Sequence, residues 1–313
     1  MQILRTPDER FAVLPGYAFT PHYVEVPATP EAPDGEMLRI HYLDESPTGA
    51  ASGETVLLVH GEPSWSYLYR DMIGPLVAAG HRVVVPDLVG FGRSDKPADT
   101  DDYTYGRHVA WMQALLFDHL DLTDVTLFGQ DWGGLVGLRV LASDPGRFAR
   151  IVLANTGLPT GLSPLSDAFM AWQKFSRETP VFDVGFLINA ATVRDLSPGE
   201  ITAYDAPFPD DTYKAGARIF PSLVPTGPDD PAAAANQAAW EVLETWTKPM
   251  LLCFSDSDPV TRGGDQIFLR KVPGTEGQAH TTVENAHHFL QEDAPERLAE
   301  IINGLLSTDG GAR

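Results

Sequence analysis

The chain is short of sulfur, of long apolar runs and of positive charge. Cys253 is the one cysteine in 313 residues, which excludes an internal disulfide framework and fits a reducing cytosol. No apolar stretch approaches the roughly 20 residues that a membrane-spanning helix needs, so no membrane partner is expected. The opening residues MQILRTPDERFAVLPG lack the basic start and apolar core of a secretory leader, and a cytoplasmic location is the expectation. Lysine and arginine number 22 against 43 acidic residues, a net charge of -21. That field repels nucleic acid and anionic lipid but selects no substrate. No internal repeat and no low-complexity segment is visible. The oligomeric state stays open between monomer and dimer.

What is present is an alternation of two periods. Apolar, β-branched runs recur at 37–45 (MLRIHYLDE), 55–60 (TVLLVH), 81–88 (HRVVVPDL), 124–129 (DVTLFG), 150–155 (RIVLAN), 249–256 (PMLLCFSD) and 279–286 (AHTTVENA). The continuous ones suit strands buried on both faces of a parallel sheet. Between them, residues 105–120 place Val109, Met112, Leu116 and Leu120 on one helical stripe. Residues 293–306 open with Asp293 and carry Glu296 three positions on, a helix-start pattern. Strand and helix in alternation predict a three-layer α/β fold. From about Thr156 to Ala238 no buried strand is evident, while aromatics, prolines and helical pieces abound. This predicts a core made of 1–155 and 239–313 and a helical cap made of 156–238.

The segment GQDWGG (129–134) sits where a strand-like run gives way to a helix-like one. Small residues around one acidic side chain suit a nucleophile elbow, a sharp strained turn that bulky neighbours would block. With Asp131 at its tip, attack would come from a carboxylate and leave an ester that water must hydrolyse. Taken alone, Asp131 serves equally well as a helix N-cap. Asp258, at a strand end before Pro259, and His288, after the last strand, follow in the order nucleophile, acid, base. In those roles His288 activates water and Asp258 holds the imidazole. Asp256 competes for the acid position, and Asp258 by itself also reads as a turn residue. His287 and His288 as a metal pair lack a third ligand nearby. After a central strand, His60 and Gly61 open a loop whose N–H groups would form half an oxyanion hole.

HGEPSWSYLYRDM, PDLVGFGRSDKP, GQDWGG, DAPFPDDTYKAGARIFP and HHFLQED together resemble the haloalkane dehalogenases, closest to those with HGEP in the oxyanion loop and two halide-holding tryptophans. The resemblance covers nearly the whole chain and implies the α/β-hydrolase fold, with a mostly parallel central sheet flanked by helices. It implies that Asp131 displaces halide to form an alkyl ester, and that His288, assisted by Asp258, hydrolyses it to alcohol, halide and a proton without a cofactor. Its partners are then a small halogenated hydrocarbon, water and halide. Trp132 and Trp172 would bind the halide, as indole N–H donates without accepting. Backbone N–H groups of Glu62 and Trp132 would form the oxyanion hole, with Glu62 also near the catalytic water. Phe169, Phe220, Pro221, Val224 and Phe289 would line the pocket. By periodicity alone, Phe169, Trp172 and Phe175 read as a packing stripe within the cap. One departure from the family pattern is AHHF, where a small residue or serine commonly precedes the histidine.

Three other readings compete. An epoxide hydrolase shares the fold and an aspartate elbow but needs cap tyrosines as proton donors, for which Tyr204 and Tyr213 are candidates. It usually carries an aromatic residue where Glu62 stands. A fluoroacetate dehalogenase would want arginine after the nucleophile, where this chain has Trp132. A catalytically inactive ligand-binding protein would not need the full triad. Cys253, in an apolar strand, reads as packing.

Overall fold

The computed structural model describes residues 1–32 and 34–308; positions 309–313, the end of the expected core segment, lie outside them. Strand β1 (Ile3–Leu4) is followed by β2 (His22–Pro27), β3 (Met37–Glu45), β4 (Thr55–Val59), helix α1 (Arg70–Ala78), β5 (Arg82–Pro86) and β6 (Lys96–Pro97). Next come α2 (Tyr105–Gln113), β7 (Val125–Gln130), α3 (Trp132–Ser143) and β8 (Phe148–Ala154). Five helices then succeed one another: α4 (Asp167–Glu178), α5 (Val184–Ala190), α6 (Pro198–Asp205), α7 (Ala215–Leu223) and α8 (Ala233–Leu243). The chain closes with β9 (Met250–Leu252), α9 (Asp265–Lys271), α10 (Leu290–Asp293) and α11 (Pro295–Thr308). β1 pairs with β6 apart from the main sheet, whose order is β2-β3-β5-β4-β7-β8-β9.

β5, β4, β7, β8 and β9 run parallel, with β3 and β2 antiparallel at one side. The chain moves one way from β4 to β5 and the other way from β5 to β7. Right-handed crossovers therefore send α1 to one face and α2 to the other. The packing agrees: α1 lies on α11, while α2 and α8 lie on α3. β4 and β7 are buried almost throughout, which is why their sequences read as largely apolar runs and not as alternating ones. The reversal also opens a crevice at the carboxyl ends of β4, β7, β8 and β9, where such sheets keep their chemistry.

Most predicted elements sit where the pattern put them, and the exceptions have local causes. The expected strand at 279–286 is reduced to one bridge between Ser255 and Val283. Thr281 N–H and Val283 N–H still bond to the carbonyls of Leu252 and Phe254, but Asn285, at φ 55, turns the chain away. Helix α11 starts at Pro295, a first-turn position that suits proline. Asp293 instead closes α10, and its carboxylate accepts the N–H groups of Val193, Arg194 and His287. The 105–120 helix changes at Ala114 to a wider π turn running to His119, which buries both Leu115 and Leu116. The edge strand β2 had no counterpart in the sequence reading. No helix among the described residues is long and apolar enough to cross a membrane.

The elbow between β7 and α3 is closed by glycine on every side. A Cβ on Gly133 would collide with the carbonyl of Val59, one on Gly134 with Thr156, and one on Gly61 with Asp131. The Val59 carbonyl belongs to the central strand and cannot yield cheaply. Gly133→Ala is therefore expected to cost about 1–3 kcal/mol through overpacking; chemical denaturation with an unchanged midpoint would refute this account of the elbow.

Candidate active site

Asp131 stands at φ 50, ψ -127, outside the regions that L residues favour. Its backbone N–H donates to Asn155 O at 3.0 Å, and Thr156 Oγ1 donates to its carbonyl at 2.6 Å. On the side chain, Oδ1 accepts the N–H of Glu62 at 2.8 Å. Oδ2 lies 3.6 Å from Nε2 of His288, whose Nδ1 lies 3.0 Å from Asp258 Oδ2. Asp258 is buried and takes further donors from Val260 N–H and Thr261 Oγ1. The rival acid Asp256 is exposed and staples a loop by accepting the N–H groups of Asn285 and Ala286.

Two buried amides that the sequence reading missed hold the histidine. Gln130 Nε2 donates to His288 O at 3.1 Å and lies 3.2 Å from His288 Nε2. Asn155 Nδ2 donates to the carbonyls of His287 and His288 at 2.9 and 3.1 Å. Both occupy carboxyl ends of parallel strands, and a polar side chain ending an apolar run is the signal that would have found them. His60, also buried, accepts Leu88 N–H on Nε2 and so donates from Nδ1 to Gly61 O. It fastens the loop that presents Glu62.

The electrostatics separate these groups. Burial opposes a charged imidazole at His288, but Asp258 and then Asp131 outweigh it and hold the ring well above the usual histidine range. Burial would likewise raise Asp258; its pairing with His288 and its Thr261 and Val260 donors keep it well below the carboxylate range. Glu62 goes the other way. Burial, with Asp131 adding to it, pushes this carboxyl well above its ordinary value.

Two cavities meet at the elbow. One of about 120 Å³ is lined by Glu62, Asp131, Trp132, Trp172, His288 and Phe289, together with Phe169 and Pro221. A second, of about 290 Å³, shares Asp131, Trp132 and Phe169 and adds Val224 and Arg262. Ser166 caps α4 by accepting Phe169 N–H, which sets the helix face carrying Phe169 and Trp172. Trp172 turns its indole N–H to Glu62 Oε2 at 3.2 Å. Phe175, the third member of that stripe, is exposed and stacks on Trp172. Phe220 lines neither cavity. It is fully buried behind Trp132, ring centroids 4.6 Å apart, so it supports the wall where it was expected to form it. Tyr204 and Tyr213 line neither cavity; Tyr204 is buried and gives its hydroxyl to Glu292.

A carboxylate on a strand–helix corner, facing a histidine that a second acid backs, fits an α/β hydrolase. Residues 54–295 match the family described as alpha/beta hydrolase fold. The chain is 60% identical over 302 residues to a haloalkane dehalogenase of Psychrobacter cryohalolentis, covering 96% of this chain and 97% of the relative. It is 52% identical over 302 residues to one of Mycobacterium marinum, covering 96% and 99%. Among solved structures, the tetrameric haloalkane dehalogenase DpaA from Paraglaciecola agarilytica NO2 superposes with a TM-score of 0.85 at 36% identity, covering 96% of this chain and 97% of that one. The chain belongs to the haloalkane dehalogenases.

Because Asp131 helps hold the proton on His288, Asp131→Ala is expected to shift the imidazole titration to lower pH. Histidine NMR across the transition measures this directly, and an unmoved midpoint would show that Asp131 exerts no such hold.

Proposed function

We propose that the protein cleaves carbon–halogen bonds of haloalkanes hydrolytically through an ester on Asp131. One observation carries the reading: a carboxylate occupies the elbow, within reach of an imidazole, in a cavity also lined by two indoles. Oδ2 of Asp131 attacks the halogen-bearing carbon, the carbon–oxygen bond forms, and the halide leaves with the bonding pair. Indole N–H of Trp132 and Trp172 receives the growing negative charge without neutralising the nucleophile. Glu62 at Oε2 accepts the Trp172 N–H in the structure, so halide must draw that donor from it. Burial biases Glu62 toward its neutral form, which disfavours a second negative charge in a site where one is about to develop.

Ester formation removes the charge of Asp131, one of the two carboxylates that raise His288. The imidazole then loses its proton more easily, at the step that needs a base. His288 takes a proton from water, hydroxide attacks the ester carbon, and Asp258 steadies the imidazolium. Backbone N–H of Glu62, already on Oδ1, and of Trp132 hold the resulting oxyanion. Alcohol leaves, Asp131 regains its charge, and halide and a proton complete the balance.

The segment 156–238 is the cap in this reading, lying between β8 and β9 and carrying Phe169, Trp172, Pro221 and Val224 to the cavities. Its last helix, α8, continues to Leu243 against α3. A cytoplasmic location is supported by the buried, unpaired Cys253.

Halide release from short bromo- and chloroalkanes is expected from the wild type and not from Asp131→Ala. Diol formation from epoxides with no halide release would instead transfer the assignment to an epoxide hydrolase. His288→Ala is expected to release a single equivalent of halide and retain the alkyl ester, visible by mass spectrometry; an unmodified protein after one turnover would remove His288 from the hydrolytic step.

A further inference from the structure

His287 immediately precedes the proposed base, and its contacts are specific. Its backbone N–H donates to Asp293 Oδ2 at 2.9 Å and its carbonyl accepts from Asn155. Its ring nitrogen Nδ1 accepts the backbone N–H of His288 at 2.8 Å. Only an unprotonated ring nitrogen accepts, so the neutral ring carries its proton on Nε2. The side chain is half-buried and lines the same small cavity as Asp131, Trp172 and His288.

We infer that His287 is a positioning residue for the base: its ring Nδ1, by accepting the backbone N–H of His288, fixes the backbone that carries the imidazole. The charged and titratable groups around it are Glu62, Asp131 and His288 across the cavity, Asp293 on α10, Asp256 under the loop at Asn285 and Ala286, and Arg194 above Asp293. None of their side chains occupies Nδ1, which is filled by the His288 N–H alone. Attack by Asp131 on the haloalkane needs no base, so release of His288 slows only ester hydrolysis. The inference rests on the reading of His288 as the hydrolytic base.

The test follows halide burst and ester decay separately in wild type, His287→Ala and His287→Asn, with His288→Ala as reference. His287→Ala is expected to slow ester decay about fivefold at neutral pH, the rate equivalent of one neutral hydrogen bond, with the burst kept. In His287→Asn, Oδ1 can accept the same N–H, and the variant is expected to recover most of the loss. Ester decay in His287→Ala equal to wild type, or no recovery in His287→Asn, would overturn the positioning role. Failure of His288→Ala to accumulate ester would overturn the underlying assignment of the base instead.

Discussion

The site depends on holding a carboxylate at a backbone corner that an aspartate does not adopt freely. A non-glycine residue in that region costs on the order of 1–3 kcal/mol and persists only where its surroundings dictate it. Here the surroundings are Asn155 O on the backbone N–H, Thr156 Oγ1 on the carbonyl and the Glu62 N–H on the side chain. They converge because Gly61, Gly133 and Gly134 leave no Cβ between the β4 loop, the elbow and the end of β8. The same strain lifts the carboxylate clear of helix α3, so that it faces the crevice and not a helix turn. An N-cap aspartate would have been consumed by the first N–H groups of its helix, whereas Asp131 makes no such bond.

Around that corner Asp258, Glu62 and His288 are pushed in different directions because each meets a different balance of burial and partners. Asp258 is held low by its pairing with His288 and its dedicated donors, and Glu62, with only an indole N–H, is pushed up by burial. His288 is the group between them, raised by two carboxylates. In the proposed mechanism one of these, Asp131, is covalently consumed in every turnover, so the chemistry would alter the base at the moment its function changes. A fixed anion at Glu62 would raise the imidazole further and repel the departing halide, so the upward shift of Glu62 and that of His288 belong to one electrostatic arrangement.

Periodicity exposed most of the sheet, since strands buried on both faces leave an unbroken apolar run at Val56–Val59 and one interrupted only by Thr126 at Val125–Phe128. It failed where tertiary context decides: the 279–286 segment has strand-like alternation, but a left-handed Asn285 diverts it toward His288. Asp131, Asp258 and His288 were legible because motif and chain order reinforce each other. Pocket walls were less so, because an aromatic that lines a cavity and one that backs it share the same composition; Phe169 and Phe220 differ only in which side of Trp132 they reach. Gln130 and Asn155 stayed hidden because hydrogen bonds across the sheet leave no spacing in the sequence. The turning of Trp172 toward Glu62 likewise depends on two segments 110 residues apart.

The helices between β8 and β9 are joined to the loop of His288 by a largely buried ionic network centred four residues beyond that histidine. Arg70 reaches Glu292 with both terminal nitrogens, at 2.5 and 2.8 Å, and Glu200 at 2.8 Å. Arg194 binds Glu200, Glu292 and the Glu292 carbonyl, while Tyr204 gives its hydroxyl to Glu292. Buried ion pairs of this sort add little net stability over apolar packing, yet removing one partner leaves an uncompensated charge and costs about 3–5 kcal/mol. Such a cluster is therefore better understood as fixing one arrangement than as a source of stability. It locks α6 and the 193–194 stretch of the cap onto the helix that follows the base, and Asp293 ties the same stretch to His287 N–H. Because Tyr204 is committed to this lock, it is unavailable to protonate an epoxide oxygen. Thus the feature that fixes the cap over the histidine loop also separates the two chemistries that an aspartate elbow of this fold can support.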